Sequence, residues 1–556
     1  MKLNGAQIII KTLEKYGITV IPGIPGGANL PLYDALYESR VIRHVLARHE
    51  QSAGFIAQGM ARSTGIPAVC FATSGPGATN LVTALADAKL DSIPIIAITG
   101  QVPTTLLGTD AFQEIDTFGM TLPLTKHNFL VKSAGELMDI LPLAFEIAQT
   151  GRPGPVLIDM PKDVQTEVID IPSLPERCDK KPVNGIKLRV ISAIAEAINK
   201  STRPVMYIGG GVIHSGSYRL ICQLAKKNSI PVTSTLMGLG AYPADDRLSL
   251  GMIGMHGWKS TNTIINTADL VLALGVRFDD RATGNLSRFA PTARVVHIDV
   301  DAAEIGKLKT PDICLTADLG KTLSALIPLI TENQRGEWLS EIRNQRDRDT
   351  GLSKTYDKPL HPVNIIKTIN RLSQKDTIVT TDVGQHQMWA AQTWKFNTPR
   401  ALLTSGGLGT MGFGLPAAIG AALANPEKQV VCITGDGSIL MNIQELATLA
   451  ELNLNIKIFV LNNGHLGLVR QQQELFYDKH YIASRFDNRV NFAAIADGFG
   501  ISSWTLSDTS STAELDNSIK SVLKPRSPAL ININIPEYEN VLPMVPPGAG
   551  IDQQIG

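Results

Sequence analysis

Paired cysteine chemistry is missing from this sequence. Its 556 residues hold five cysteines (Cys70, Cys178, Cys222, Cys314 and Cys432), an odd number, widely scattered and with no CxxC pair. That argues against a disulfide framework and a zinc site, and leaves ordinary core or surface thiols in a reducing compartment. Charge of one sign is not in excess either: Lys plus Arg and Asp plus Glu both number 51, so nothing favours nucleic acid or an acidic membrane as partner. No apolar run approaches the roughly 18 uninterrupted residues that suggest a membrane span. Met1-Lys2-Leu3-Asn4-Gly5 opens directly into an amphipathic pattern without a signal core or cleavage site. The expectation is a soluble cytoplasmic protein that engages small molecules and other protein subunits, with neither nucleic acid nor membrane.

What is present is apolar: 44% of residues are hydrophobic and 18% charged. The chain is too long for one core, and at about 150 residues per domain roughly three or four domains are expected. Short apolar runs ending in Gly or polar turns alternate with segments of helical periodicity. The runs include Pro67 to Phe71, Pro94 to Thr99, Pro155 to Asp159, Val205 to Ile208, Leu270 to Leu274, Val295 to Ile298, Val430 to Thr434, Ile456 to Leu461 and Ala529 to Ile533. Continuous hydrophobicity, as opposed to alternation, suits strands buried on both faces, which predicts an α/β architecture of doubly wound parallel sheets. Two stretches break the rhythm, Ile171 to Gly185 and the charge-dense Glu332 to Pro362, and both read as linkers, the second opening with a solvated helix. They leave three units, 1–170, 186–330 and 363–535, and a tail, 536–556, containing the Pro-rich VLPMVPPGAG. For that tail a disordered end and docking over a site stand as equal alternatives.

The most specific signal lies in the third unit. One predicted strand runs into Gly435-Asp436-Gly437-Ser438 and another into Asn462-Asn463, so Asp436 and Asn463 sit at carboxyl ends of strands in one parallel sheet, where open α/β folds bind ligands. Glycines let a backbone approach a phosphate, and a carboxylate with an amide oxygen forms a hard donor set for Mg²⁺ on a diphosphate. A lone GDG usually marks a turn; GDG with an Asn 27 positions after its Asp, each at a strand end, is far more specific.

Here the chain resembles the thiamine diphosphate decarboxylase and carboligase family. The resemblance implies Mg²⁺ ligands at Asp436, Asn463 and the His465 carbonyl, and cofactor contacts at Gly435, Gly437 and Ser438. It also implies a second diphosphate loop at Gly384-Gln385-His386. Ser405 to Gly412 opens a small-residue helix, and there the family pattern puts the Gly409 carbonyl on the aminopyrimidine and the Met411 side chain under the bent cofactor. In the first unit Arg48-His49-Glu50 lies between a predicted strand, Arg43 to Leu46, and a helix running to Arg62, and matches the family's RHE motif. Glu50 is then the acid that activates the pyrimidine ring, a task for a poised, dry carboxyl. The same resemblance implies two chains head to tail, Glu50 of one facing Asp436 of the other, as a dimer or a tetramer.

Along essentially its full length the sequence is similar to acetohydroxyacid synthases, through Ile21 to Gly27, Ala72 to Asn80, Gly108 to Glu114, Gly151 to Pro155, Met160 to Asp163 and Gly275 to Arg281. The resemblance implies a catalytic subunit that decarboxylates pyruvate and joins the hydroxyethyl fragment to a second pyruvate or to 2-ketobutyrate, in branched-chain amino-acid biosynthesis. Gly27, Phe112, Gln113 and Lys162 would surround the reacting centre and Arg281 would hold the acceptor carboxylate. A relative that uses glyoxylate has an apolar residue in place of the glutamate, which Glu50 argues against. The middle unit lacks GxGxxG yet resembles the FAD-binding domain of the anabolic members. Implied FAD contacts are Arg152, Gly210, Gly211, Thr235, Leu236, Met237, Met255, His256, Gly275, Arg277, Asp279, Asp299, Val300, Glu304 and Asp318, for a flavin with structural duty only. A separate regulatory small subunit is also implied. A flavin-dependent pyruvate oxidase remains the competing enzyme and a non-catalytic scaffold the competing non-enzyme; the Arg281 motif argues against the first and the intact Glu50, Asp436, Asn463, Lys162 and Arg281 against the second. One departure stands out: most synthases carry Met at 468 and Trp at 472, where this chain has Leu468 and Gln472. With the ending Met544 to Ala549 this resembles the enterobacterial isozyme I subtype, which implies loss of the preference for 2-ketobutyrate.

Overall fold

Three six-stranded parallel sheets form the frame of the computed structural model, which describes every residue except 179, 180, 182–184, 350, 352–355, 489 and 510. Parts of both predicted linkers therefore lie outside the described residues. The first sheet uses strands between Val20 and Pro161, the middle one strands between Pro204 and Thr316, and the third strands between Ile378 and Asn534. The apolar runs are the central strands. Ala68–Ala72, Ile95–Gln101, Val156–Pro161, Val430–Gly435 and Ile456–Asn462 are buried at every position, because helices cover both faces of a parallel sheet.

Numbered within each sheet by their order along the chain, the strands of the first and third units both run 2-1-3-4-6-5, and those of the middle unit run 3-2-1-4-5-6. Each order reverses direction beside its first strand, and those of the first and third units reverse again at their last pair; ligands bind in the crevice beyond the carboxyl ends of the strands flanking the first of these points. In the third unit those ends are Thr381 and Gly435, in the middle unit Ile208 and Leu274, and in the first unit Gly23 and Ala72. A two-stranded antiparallel ribbon, Lys2–Asn4 with Val168–Asp170, adds a feature outside the expected parallel pattern.

Helix Glu50–Thr64 of the first unit packs along helix Gly414–Ala424 of the third. Glycines bring the two backbones together: a Cβ on Gly59 would lie 2.1 Å from the Ala417 carbonyl oxygen, and one on Gly420 would lie 1.9 Å from that of Ile56. Beside this seam the Arg48 N–H donates to Glu445 (2.9 Å) and the Ser52 hydroxyl to Asn442 (3.0 Å).

One expectation needs correction. The charge-rich stretch read as a solvated linker helix does form a helix, Gly336–Arg348, but it buries Trp338 and Ile342 in the middle unit's core, and the Trp338 indole donates to the Pro204 carbonyl (3.1 Å). Two apolar residues one turn apart outweigh the surrounding charge, since a fully buried side chain contributes about 1.5–3 kcal/mol. The tail docks and is not a loose end. Val541, Met544, Val545 and Ile551 are buried, the Val545 N–H donates to the Met255 carbonyl (2.9 Å), and the Asn285 N–H donates to that of Ala549 (2.9 Å). All five cysteines are free thiols, and among the described residues no helix is long and apolar enough to cross a membrane.

Candidate active site

At the third unit's reversal point a cavity of about 170 Å³ is lined by Gly384, Gln385, His386, Gly409, Met411, Gly435 to Ser438, Asn463 and His465, all expected there, together with Trp389 and Leu468. Glycine is demanded at its floor, since a Cβ on Gly384 or Gly435 would meet the His386 ring at 2.8 Å. The His386 ring is buried; its Nε2 has no protein partner, and burial pushes its pKa down to about 3, so it is neutral. Asp436 Oδ2 accepts the Gly464 N–H (2.8 Å), and burial pushes its carboxyl up to about 6. Asn463 donates to Gln385 Oε1 (3.1 Å) while its own oxygen accepts the His465 N–H (3.1 Å). Among the described residues no three His, Cys, Asp or Glu side chains converge as a metal site; the expected ligands are one carboxylate, one amide and one carbonyl.

Glu50 belongs to a separate constellation. It is the first residue of its helix, where a negative charge is favoured, and it is buried with Oε2 accepting from the Asn80 amide (2.8 Å). A Cβ on Gly77 would lie 3.4 Å from Glu50 Oε1, and one on Gly75 would lie 2.8 Å from the Gln113 carbonyl, so Gln113 lies over the same strand end. The loop carrying Phe112 and Gln113 is closed on Glu114, which accepts the N–H groups of Gly108, Thr109 (3.2 Å) and Ala111 (3.0 Å). It is tied down by Gln101, whose amide reaches the Ile115 carbonyl (3.0 Å) and Asp159 (3.0 Å). Phe112 is 88% exposed, Gly27 and Lys162 are exposed, and Lys162 starts the helix after strand Val156–Pro161. None of Gly27, Glu50, Phe112, Gln113 and Lys162 lines the cavity around Asp436.

A larger cavity, about 570 Å³, opens at the middle unit's reversal point and takes in every residue expected to contact the flavin, Arg152 and Asp318 included. Backbones close up here, a Cβ on Gly211 meeting Gly275 Cα at 2.6 Å. Arg152 pairs with Glu304 (2.7 Å), and burial pushes Asp299 up to about 6 and His256 down to about 4. Arg281 and Gln472 line this same cavity, with Leu468 and Met544. The Arg281 guanidinium, two-thirds exposed, makes only a 3.5 Å contact with Met255 sulfur and a 3.5 Å approach to Asp280. Gly409 and Leu468 line both cavities, so the two are neighbours.

Comparison with known proteins shows the family. Models of the thiamine pyrophosphate enzyme N-terminal, central and C-terminal domains match residues 3–120, 191–326 and 382–533. The chain is 51% identical over 556 residues to the acetolactate synthase isozyme 1 large subunit of Escherichia coli (strain K12), covering 100% of this chain and 98% of that one. It is 46% identical to the probable acetolactate synthase large subunit of Methanocaldococcus jannaschii (98% and 94% covered) and 44% to chloroplastic acetolactate synthase 1 of Nicotiana tabacum (99% and 85%). The chain belongs to the acetolactate synthase large-subunit family. It is a thiamine diphosphate-dependent acetolactate synthase, a catalytic subunit of branched-chain amino-acid biosynthesis.

In this synthase some site residues carry no sequence signal. Of three consecutive glutamines, Gln472 faces the large cavity, while buried Gln471 accepts from Gln385 (3.0 Å) and the Val541 N–H (2.8 Å) and donates to the Val541 carbonyl (3.0 Å), tying the tail to the diphosphate loop. Gln473 accepts the Ser484 hydroxyl (2.6 Å). Only the helical spacing hinted that the three differ.

Proposed function

We propose that the catalytic centre is shared between two copies of this chain, Glu50 of one facing the Asp436 cradle of the other. The observation that carries this reading is the separation of the two constellations within one chain. A cradle of about 170 Å³ suits a diphosphate and an ion, whereas whole ligands usually fill about 300–1,000 Å³, so the rest of the cofactor must lie against another surface. The exposed ring of Phe112 and the open strand ends around Gly27 offer one.

Bound there, thiamine diphosphate would supply a nucleophilic thiazolium carbon suited to decarboxylating a 2-ketoacid and forming a carbon–carbon bond. The protein's share follows from its side chains. Glu50, oriented by Asn80, exchanges a proton with the pyrimidine ring. Gln113, with Phe112, Lys162 and Gly27 of the same copy, closes over the reacting centre and donates to developing oxygen charge. Asp436, Asn463 and the His465 carbonyl hold Mg²⁺. That set fits because Asp436 is a buried carboxylate short of counter-charge, and a divalent ion relieves it. His386 Nε2, buried without a partner, is free to donate to a phosphate oxygen. Arg281 grips the acceptor's carboxylate with a planar fork, and Gln472 leaves the acceptor's alkyl end without an aromatic wall, so pyruvate and 2-ketobutyrate compete on nearly equal terms.

FAD fits the large cavity, where Gly209–Gly211 and Gly275 admit a close backbone approach, and there it serves as a wall beside Gly409 and Arg281. A separate small regulatory subunit, as the large-subunit names of the relatives suggest, and a cytoplasmic location complete the reading. Mixing two inactive variants tests the shared site. Glu50→Gln and Asp436→Ala chains, co-refolded or co-expressed, should regain about a quarter of wild-type activity, because half the pairs are mixed and each mixed pair has one intact site. No recovery despite proven mixed pairs would place both residues in one chain's site.

A further inference from the structure

Residues 405–412 join strand Leu402–Leu403 to helix Gly414–Ala424 and belong to neither, so their backbone N–H groups have no ladder to join. Side chains take them instead. Gly406 and Gly407 donate to the two oxygens of Asp91 (3.0 and 2.8 Å), Thr410 to the Ser405 hydroxyl (2.8 Å) and Gly412 to Asp382 (2.7 Å). The hydroxyls of Ser405 and Thr410 (3.0 Å) both donate to Asp87. Between the two acids lies the Arg62 guanidinium, 2.8 Å from Asp87, 2.9 Å from Asp91 and 2.9 Å from the Thr404 carbonyl. Arg62, Asp87 and Asp91 all come from the first unit, and all three side chains are buried. Two carboxylates against one guanidinium leave a surplus negative charge, which four donors from the loop offset, so charge burial and loop shape depend on each other.

The glycines of this loop have a structural duty as well. A Cβ on Gly406 would lie 2.3 Å from Met237 sulfur, and one on Gly407 would lie 2.9 Å from both Asp91 Oδ1 and Leu90 Cβ. Gly409, at positive φ (72°), stands on the loop where both cavities meet.

We infer that Asp87 and Asp91, aligned by Arg62, are positioning residues of the thiamine site, setting from the first unit the backbone on which Gly409 and Met411 are carried. This rests on the reading of Gly409 and Met411 as cofactor contacts. Asp87 lines neither cavity, so its action is through the loop; Asp91, Ser405 and Gly406 also line the flavin cavity, so the same anchor forms the partition between the two ligands.

Trp389 lines the diphosphate cavity, so its fluorescence reports cofactor binding without turnover. The full flavin-loaded chain, freed of thiamine diphosphate, is titrated with that cofactor at fixed Mg²⁺. In Asp91→Asn and in Thr410→Val, half-saturation should rise about tenfold or more, as loss of a hydrogen bond to a charged group predicts. Amide exchange should quicken at 406–412 and not in strand Val430–Gly435, and activity should return at saturating cofactor. Wild-type half-saturation in both variants, with only a lower melting temperature, overturns the inference. Should Asp91→Asn fail to fold, Thr410→Val decides, because it leaves the Arg62–Asp87–Asp91 cluster intact. Met411→Ala separates the two readings: weakened binding there with none in Thr410→Val overturns the positioning role alone, and unchanged binding in Met411→Ala overturns the cradle reading beneath it.

Discussion

The first and third units share one strand order and do opposite things with it. At its reversal point the third unit encloses its polar groups: Asp382, Asp436, Asn463 and His465 are buried and partnered chiefly by one another's loops. The first unit leaves part of the corresponding strand ends open, with Gly27 and Phe112 exposed, while Glu50 is drawn inward. A closed cradle can hold an anion and its metal by itself; an open one gains a function only against a second surface. On the proposed reading the same topology yields a holder and an activator, and the difference lies in the loops beyond the sheet.

The largest expected effects divide along that line. Asp436→Ala should abolish activity and, with it, the response of Trp389 fluorescence to thiamine diphosphate and Mg²⁺. Glu50→Gln should lower turnover about 10²–10⁴-fold, the usual cost of losing one acid–base group, while the Trp389 titration shifts far less. Equal loss of binding in both variants would erase the distinction between holder and activator. Next in size, and on the holder's side, is the acceptor choice. Gln472→Trp should raise the preference for 2-ketobutyrate over pyruvate by about 10–200-fold, the value of one methylene against a shaped apolar wall. Competition assays at varied acceptor ratios measure it, and an unchanged ratio would remove Gln472 from the acceptor pocket.

The smallest effect probes the first unit's frame. Asp159 is buried, accepts from Thr99 (2.7 Å) and Gln101 (3.0 Å), and burial pushes its carboxyl up to about 7. The folded chain therefore favours the neutral acid. The stability this confers is full below about pH 4 and is lost as pH rises through about 7. Asp159→Asn should flatten that slope, so that between pH 5 and 8 the wild-type melting temperature falls relative to the variant by a few degrees, at about 2–4 °C per kcal/mol. Parallel profiles for the two proteins would mean that Asp159 stays in one protonation state.

What the sequence revealed, and what it hid, follows from range. Long central strands were legible because both faces are buried and most of their residues are apolar; short strands such as Val232–Ser234, Ile313–Thr316 and Leu402–Leu403 offer too few residues for contrast. The Asp436 to Asn463 spacing was legible because two neighbouring strands set it. Arg62, Asp87 and Asp91 were not: on their helices they read as ordinary polar positions, and the loop they serve begins 314 positions after Asp91 (405 − 91). The docked tail was undecided because its prolines speak for loop structure while its four buried apolar residues have no period.

The glycine seam between helices Glu50–Thr64 and Gly414–Ala424 carries a consequence for divergence. At Gly59 and Gly420 even a methyl group would strike main-chain carbonyl carbon or oxygen, which cannot swing aside as a side chain does. A substitution at either glycine cannot be absorbed by a compensating one opposite, because the atoms it would strike belong to the main chain. The two units can drift freely on their outer faces, but along this line they are committed to each other residue for residue. A chimera that exchanges the first unit between related enzymes should therefore succeed or fail on the match of two helices, before any question of catalytic residues arises.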